Sequence, residues 1–271
     1  MKKPAPLFLY FCILFFACSV MQPPKGSSYI LVWADEFDYH GLPDNSRWDY
    51  DTGGSGWGNQ ELQYYTANRN ENARVENGNL VIEARRENWQ GMNYSSARLI
   101  TKSKAGPIAT GWQYGKIEVR AKIPSGRGTW PAIWMLGATT PFKWPDDGEI
   151  DIMEHVGFNQ GTVHSSIHCK KYYHSIGTQK TATIPVPDCS DVFHVYGTEW
   201  DKDSVRVSVD GNVYFRFANE YSSYEAWPFD NKMYLLLNIA VGGSWGGQQG
   251  VDDAIFPKKM EVDYVRVYQK K

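Results

Sequence analysis

Cysteine is scarce in this chain of 271 residues, which has four, at positions 12, 18, 169 and 189. None of their spacings suggests zinc, so a cysteine-built metal centre is excluded. An excess of one charge is also missing. Twenty-eight basic residues offset thirty acidic ones, for a net charge of -2 and a sequence pI of about 6.3. There is thus no basic field to recruit nucleic acid or an anionic membrane, and partners are expected to be neutral or small. The chain has no long amphipathic helical pattern, no repeat of fixed period and no low-complexity linker after Ser28, which argues against helical bundles and solenoids. Its apolar run from Leu7 to Ala17 is too short for a membrane span, and behind Lys2 and Lys3 it has the order of a secretory signal.

Export organises the N-terminus. Residues 1–18 read as the signal, 19–28 as a tether rich in Pro, Gly and Ser, and 29–271 as one folded domain. Ala17-Cys18-Ser19 offers a small-x-small cleavage site, while Phe15-Phe16-Ala17-Cys18 resembles a relaxed lipobox that would lipidate Cys18. The lipoprotein reading is preferred, giving a cell-surface or periplasmic protein attached to the membrane through Cys18; ordinary cleavage would give a secreted one. Cys169 and Cys189 then remain in the folded domain, where an oxidising compartment lets them pair, the alternative being two buried thiols.

What the chain has in quantity is aromatic surface. Aromatics make up 15% of residues, with eleven Trp, more than a core of this size asks for, and three to five are expected in a groove as stacking platforms. Short β-branched and aromatic runs, punctuated by Gly, Asn and Pro, predict strands over 29–33, 79–84, 115–123, 132–136, 193–200, 205–209, 233–240 and 260–268. A hairpin turn is expected at Asp210-Gly211-Asn212. The implied architecture is all-β: a single antiparallel β-sandwich of jelly-roll type, with a groove on its concave sheet.

The run Asp147-Gly148-Glu149-Ile150-Asp151-Ile152-Met153-Glu154-His155 places acids inside an otherwise buried strand. Ionised carboxylates in apolar surroundings are usually paired, metal-bound or held for chemistry. Glu149 and Asp151 share a face, but Glu154 lies at an odd offset and joins them only if a β-bulge near Ile152-Met153 absorbs one residue. The outer pair then lies about 13 Å apart at Cα, at roughly 3.3 Å per residue. Inward-leaning side chains would leave roughly 5 to 5.5 Å between carboxyls, as in a retaining glycosidase. The same spacing also describes a half-exposed strand with an acidic outer face. His164 and His168 have the spacing of helical metal ligands, but on a strand they fall about 13 Å apart, so a zinc site is rejected.

Several motifs, in order, resemble laminarinase-like members of glycoside hydrolase family 16. They include Trp33-Ala34-Asp35-Glu36-Phe37, Trp57-Gly58-Asn59-Gln60-Glu61, Ser96-Ala97-Arg98-Leu99, Trp130-Pro131-Ala132-Ile133-Trp134, Gly148-Glu149-Ile150-Asp151-Ile152-Met153-Glu154, Leu237-Asn238-Ile239-Ala240, and Gly243-Ser244-Trp245. The resemblance covers about Tyr29 to Gln269, and the acidic motif is the longer, bulged form typical of 1,3-β-glucanases.

The resemblance implies that Glu149 is the nucleophile, Glu154 the general acid/base, and Asp151 the residue that tunes the nucleophile. It maps sugar binding onto Asn59, Glu61, Arg98, Trp130, Trp134, His155, Asn238 and Trp245. Trp245 is expected on a flexible Gly-rich loop, and Trp144 or Phe142 is expected to wall one end of the groove. No cofactor is implied for catalysis. A structural calcium is, held by Glu36, the Gly78 carbonyl and Asp263. The expected activity is a retaining endo-acting hydrolysis of 1,3-β-glucan, extending to mixed-linkage 1,3-1,4-β-glucan, by a monomer. The alternatives are a hydrolase or transglycosylase on another polysaccharide such as a galactan, and a non-catalytic β-glucan-binding protein.

Overall fold

The computed structural model describes residues 28–101 and 111–271. The expected signal, Cys18 and nearly all of the tether lie outside these residues. In chain order the strands are β1 (Tyr29–Asp35), β2 (Asp49–Asp51), β3 (Gln63–Tyr65), β4 (Ala73–Glu76), β5 (Asn79–Trp89), β6 (Met92–Ser96), β7 (Arg98–Ile100), β8 (Gly115–Lys122) and β9 (Thr129–Gly137). They continue with β10 (Glu149–Glu154), β11 (Thr162–His168), β12 (Lys180–Pro185), β13 (His194–Trp200), β14 (Ser204–Val209), β15 (Asn212–Ala218), β16 (Met233–Val241) and β17 (Lys258–Lys270). Among the described residues only two short 3-10 turns interrupt them, and no helix there is long and apolar enough to cross a membrane.

Two sheets form. One runs β15-β14-β13-β8-β17-β5-β6-β3, with β1 added to β17 and β4 to β5; the other runs β12-β11-β10-β9-β16-β7-β2. Apart from the parallel pair β3–β6, the strand pairs are antiparallel. The β14–β15 hairpin turns where expected, with Asp210 and Gly211 both at positive φ, which suits the right-handed twist of the flanking strands.

Alternation explains the layering. On β8, Ile117, Val119 and Ala121 enter the core while their neighbours stay partly exposed. Ile133 and Met135 on β9 and Leu235, Leu237 and Ile239 on β16 meet them from the opposite sheet. β16 is buried along its whole length: on its second face Tyr234 and Leu236 pack with Ile100 and Leu136, while Asn238 and Ala240 form part of the floor of a groove. Asp35, fully buried, accepts hydrogen bonds from the Phe37 amide, the Tyr39 hydroxyl, Arg47 and the Trp48 indole, tying the end of β1 to the segment that enters β2. This gives the Trp33 to Phe37 motif a structural reason.

Candidate active site

Gly148 opens β10 at a φ of 86°, where an added Cβ would lie 2.8 Å from Pro228; glycine is needed at this turn. Glu149 pairs with Leu136 of β9 and Asp151 with Trp134; the register then shifts, so that Met153 pairs with Ile133 and Glu154 with Ala132. The expected bulge is therefore present, and Ile152 is the residue without a β9 partner. Ile152 and Met153 both enter the core, and this changes the parity of the strand. Since Leu136, Trp134 and Ala132 alternate along β9, Glu149, Asp151 and Glu154 share one face. The Ser165 hydroxyl on β11 donates to the Asp151 carbonyl at 2.7 Å, supplying a partner beside the interrupted ladder.

Strand register extends this face sideways. Glu154 is flanked by His164 on β11 and Ala132 on β9, beyond which come Asn238 of β16, Arg98 of β7 and Asp51 of β2. Asp151 lies between Ser166 and Trp134, and Glu149 between His168 and Leu136. These rows line a groove of about 910 Å³.

Burial dominates the electrostatics. It pushes the Glu149, Asp151 and Glu154 carboxyls up to about 8 each; the charge of Asp151 adds to the rise at both glutamates. Ionising one of the three opposes ionising the others, so the set keeps protons into the neutral range as a coupled unit. Two indoles favour the charged forms. Trp144 Nε1 donates to Glu149 Oε2 and Trp130 Nε1 to Glu154 Oε1, each at 3.0 Å. His168 Nε2 lies 3.3 Å from Asp151 Oδ2 and 3.7 Å from Glu149 Oε1.

The walls are held by a polar chain. Trp134 Nε1 donates to Asn238 Oδ1, Asn238 Nδ2 to the Tyr65 hydroxyl, and that hydroxyl to Glu61, which also accepts from Gln63 and Asn59. Burial raises the Glu61 carboxyl, while these hydrogen bonds and the charge of Arg98 pull it back. Arg98 pairs with Asp51 at 3.1 Å and lies over the rings of Trp57 and Trp134, 4.7 and 4.6 Å from their centroids. Beyond Glu154, Trp245 stands edge-on to Trp130 and His164.

Asn59, Glu61, Arg98, Trp130, Trp134, Asn238 and Trp245 therefore line the groove with the three acids, as do Trp144 and Phe142. Trp57, Trp130, Trp134, Trp144 and Trp245 make five groove tryptophans, the upper end of the expectation. His155 is a correction. It follows Glu154 with no second bulge, faces the other side, is fully buried, and accepts a hydrogen bond from the Gly161 amide through Nε2. The Trp245 loop is another. Its glycines serve close packing, since a Cβ on Gly246 would sit 2.8 Å from Trp130 and one on Gly243 3.0 Å from the Asn59 carbonyl.

The disulfide is a third correction. Cys169 and Cys189 are buried free thiols with separate partners, the Ala226 carbonyl for the first and the Gln160 amide for the second. The calcium set does not fit an ion as it stands. Both Glu36 oxygens accept from Arg266 and Asp263 accepts from Arg120, so both carboxylates are already neutralised; no chemistry is routed through calcium. Sequence reasoning missed His168 as a neighbour of the acids. The local signal of this imidazole is its four-residue spacing from His164, whereas register across β10 and β11 places it opposite Glu149.

The chain belongs to glycosyl hydrolases family 16, whose model matches residues 60–266. A β-glucanase of Rhodothermus marinus is 51% identical over 280 residues, covering 99% of this chain and 96% of that protein. The crystal structure of the Rhodothermus marinus laminarinase superposes with a TM-score of 0.86 at 55% identity, covering 90% of this chain and 98% of that one. SCLam, a non-specific endo-β-1,3(4)-glucanase, gives a TM-score of 0.85 at 52% identity, with 90% and 92% covered.

Proposed function

We infer that this glycoside hydrolase cleaves 1,3-β-glucan internally, with retention, and extends to mixed-linkage glucan. The observation that carries the reading is the bulge that turns Glu149, Asp151 and Glu154 onto one face of a tryptophan-walled groove. The similarity to the laminarinase and to SCLam supports the substrate class.

In the first step the Glu149 carboxylate attacks the anomeric carbon while Glu154 gives its proton to the departing glycosidic oxygen, leaving a glycosyl ester on Glu149. In the second, Glu154, now ionised, takes a proton from water, whose oxygen attacks the same carbon and releases Glu149. The two roles need one ionised and one protonated carboxyl at the same pH. A coupled set that retains protons into the neutral range supplies both. Asp151 shares a proton with Glu149 in the empty groove and adjusts the basicity of that carboxyl as charge develops on it during attack and release.

Release of reducing sugar from laminarin, curdlan and lichenan, and not from agarose, is the expected pattern. Proton NMR of early products should show the β-anomer first; initial α-product would overturn the retaining assignment. Glu154→Gln should lose about 10²- to 10⁴-fold in rate while staying folded, and Glu149→Gln should be inactive.

We also propose that residues 2–17 direct export and that Cys18 carries the membrane anchor, on the strength of the lipobox-like sequence. Cys18→Ser should release the protein from the membrane fraction; equal retention would refute the anchor.

A further inference from the structure

The cleavage reaction described above needs no imidazole beside the nucleophile, yet β11 supplies one. We propose that Glu149, Asp151 and His168 bind a divalent ion of the zinc class in the substrate-free groove, in competition with the glucan chain. The competition rests on the hydrolase reading, whereas the binding does not.

Three observations carry the proposal. The first is spacing: one ligand atom from each residue lies within 4.8 Å of the others, and the two distances from His168 Nε2 are 3.3 and 3.7 Å. Four-coordinate zinc with nitrogen and oxygen ligands at about 2.0–2.1 Å sets its ligand atoms about 3.3 Å apart. Two edges of the triangle are therefore already near the coordinated length.

The second is an orphaned atom. The Asp151 side chain is 2% exposed, and its Oδ2, the atom facing His168, has no hydrogen-bond partner. A buried carboxylate oxygen without a donor is the kind of group a cation satisfies. The third is the character of the donors. An imidazole with two carboxylates suits zinc or copper better than calcium or magnesium, which prefer oxygen throughout.

Trp144 holds the other oxygen of Glu149 in place, as an outer-shell donor does for a ligating carboxylate. The fourth coordination position would open on the groove. An ion there would displace the proton that Glu149 and Asp151 share in the empty groove, releasing it to solvent, and it would occupy an oxygen of the nucleophile. His164 is no part of the set, since it stands opposite Glu154 at the other end of the row.

Isothermal titration of the intact protein with zinc chloride, in a non-chelating buffer at neutral pH, should show one site per chain. His168→Gln should weaken it by about tenfold or more. His194→Gln should leave it unchanged; that imidazole lies between Asp188 and Asp210 and is the rival surface position. Anomalous scattering from zinc-soaked crystals of the unmutated protein should locate the ion about 2.0–2.2 Å from His168 Nε2, a result independent of whether any variant folds. In Glu154→Gln protein, which keeps all three donors, zinc should raise the apparent Kd for a laminari-oligosaccharide. Equal zinc affinity in His168→Gln, an ion found only at His194, or zinc and oligosaccharide bound together without mutual weakening would each overturn the proposal. Zinc bound as described by a protein that hydrolyses no β-glucan would defeat the hydrolase reading and leave the metal site standing.

Discussion

Glu154 and His155 are neighbours in the chain and serve different parts of the molecule. The carboxyl faces the groove, while the imidazole is sealed beneath the sheet, where burial first and His164 second pull it down to about 4. His155→Ala should leave the Gly161 amide unpaired at a cost of about 1–3 kcal/mol and lower the thermal midpoint, with KM for laminarin unchanged. Trp245→Ala should behave in the opposite way. Its ring is only partly buried and stands nearly perpendicular to those of Trp130 and His164, so the midpoint should stay close to the parent while oligosaccharide affinity falls about tenfold, roughly 1.4 kcal/mol. Melting curves paired with binding titrations check both, and a stability loss in Trp245→Ala with affinity intact would show a packing residue. Parity was enough to place the acids in the sequence. It did not place His168, because a partner nineteen residues from Glu149 is set by strand pairing and leaves no local mark.

β10 was readable as a strand because its acids interrupt a continuous apolar run, and the bulge followed from requiring three carboxyls on one side. The long strands β5, β8, β16 and β17 were legible from composition. β2, β3 and β7, at three residues each, are too short to show a period, so the far wall of the groove was invisible except through its motifs. The bulge makes a prediction of its own. Deleting Ile152 would join Asp151, paired with Trp134, to Met153, paired with Ile133, and leave Glu149, Asp151 and Glu154 at alternate positions of a regular strand. The shortened protein should lose about 2–5 kcal/mol with that buried side chain and keep measurable laminarin hydrolysis. A folded deletion variant with no activity would mean that the bulge does more than set parity.

For the molecule as a whole, the groove is a source of instability that depends on pH. The three acids titrate higher in the folded chain than in the unfolded one. Their contribution is therefore fully present below about pH 4, near the free carboxyl values, and is lost as pH rises through about 8. Asp151→Asn should melt close to the parent at the acid end of this window and above it at the alkaline end, by about 2–4 °C for each kcal/mol relieved. A constant difference across the window would show that the acids ionise without strain. The same two indole bonds that steady the outer acids have an optical side. Trp144 and Trp130 give their ring N–H groups to Glu149 and Glu154 respectively, and the excited state of an indole is polar enough to feel the charge on its acceptor. Titrating either carboxyl should therefore shift the emission of the indole bonded to it, a change that replacing Trp130 or Trp144 by Phe would assign to one end of the reaction among the eleven tryptophans of the chain.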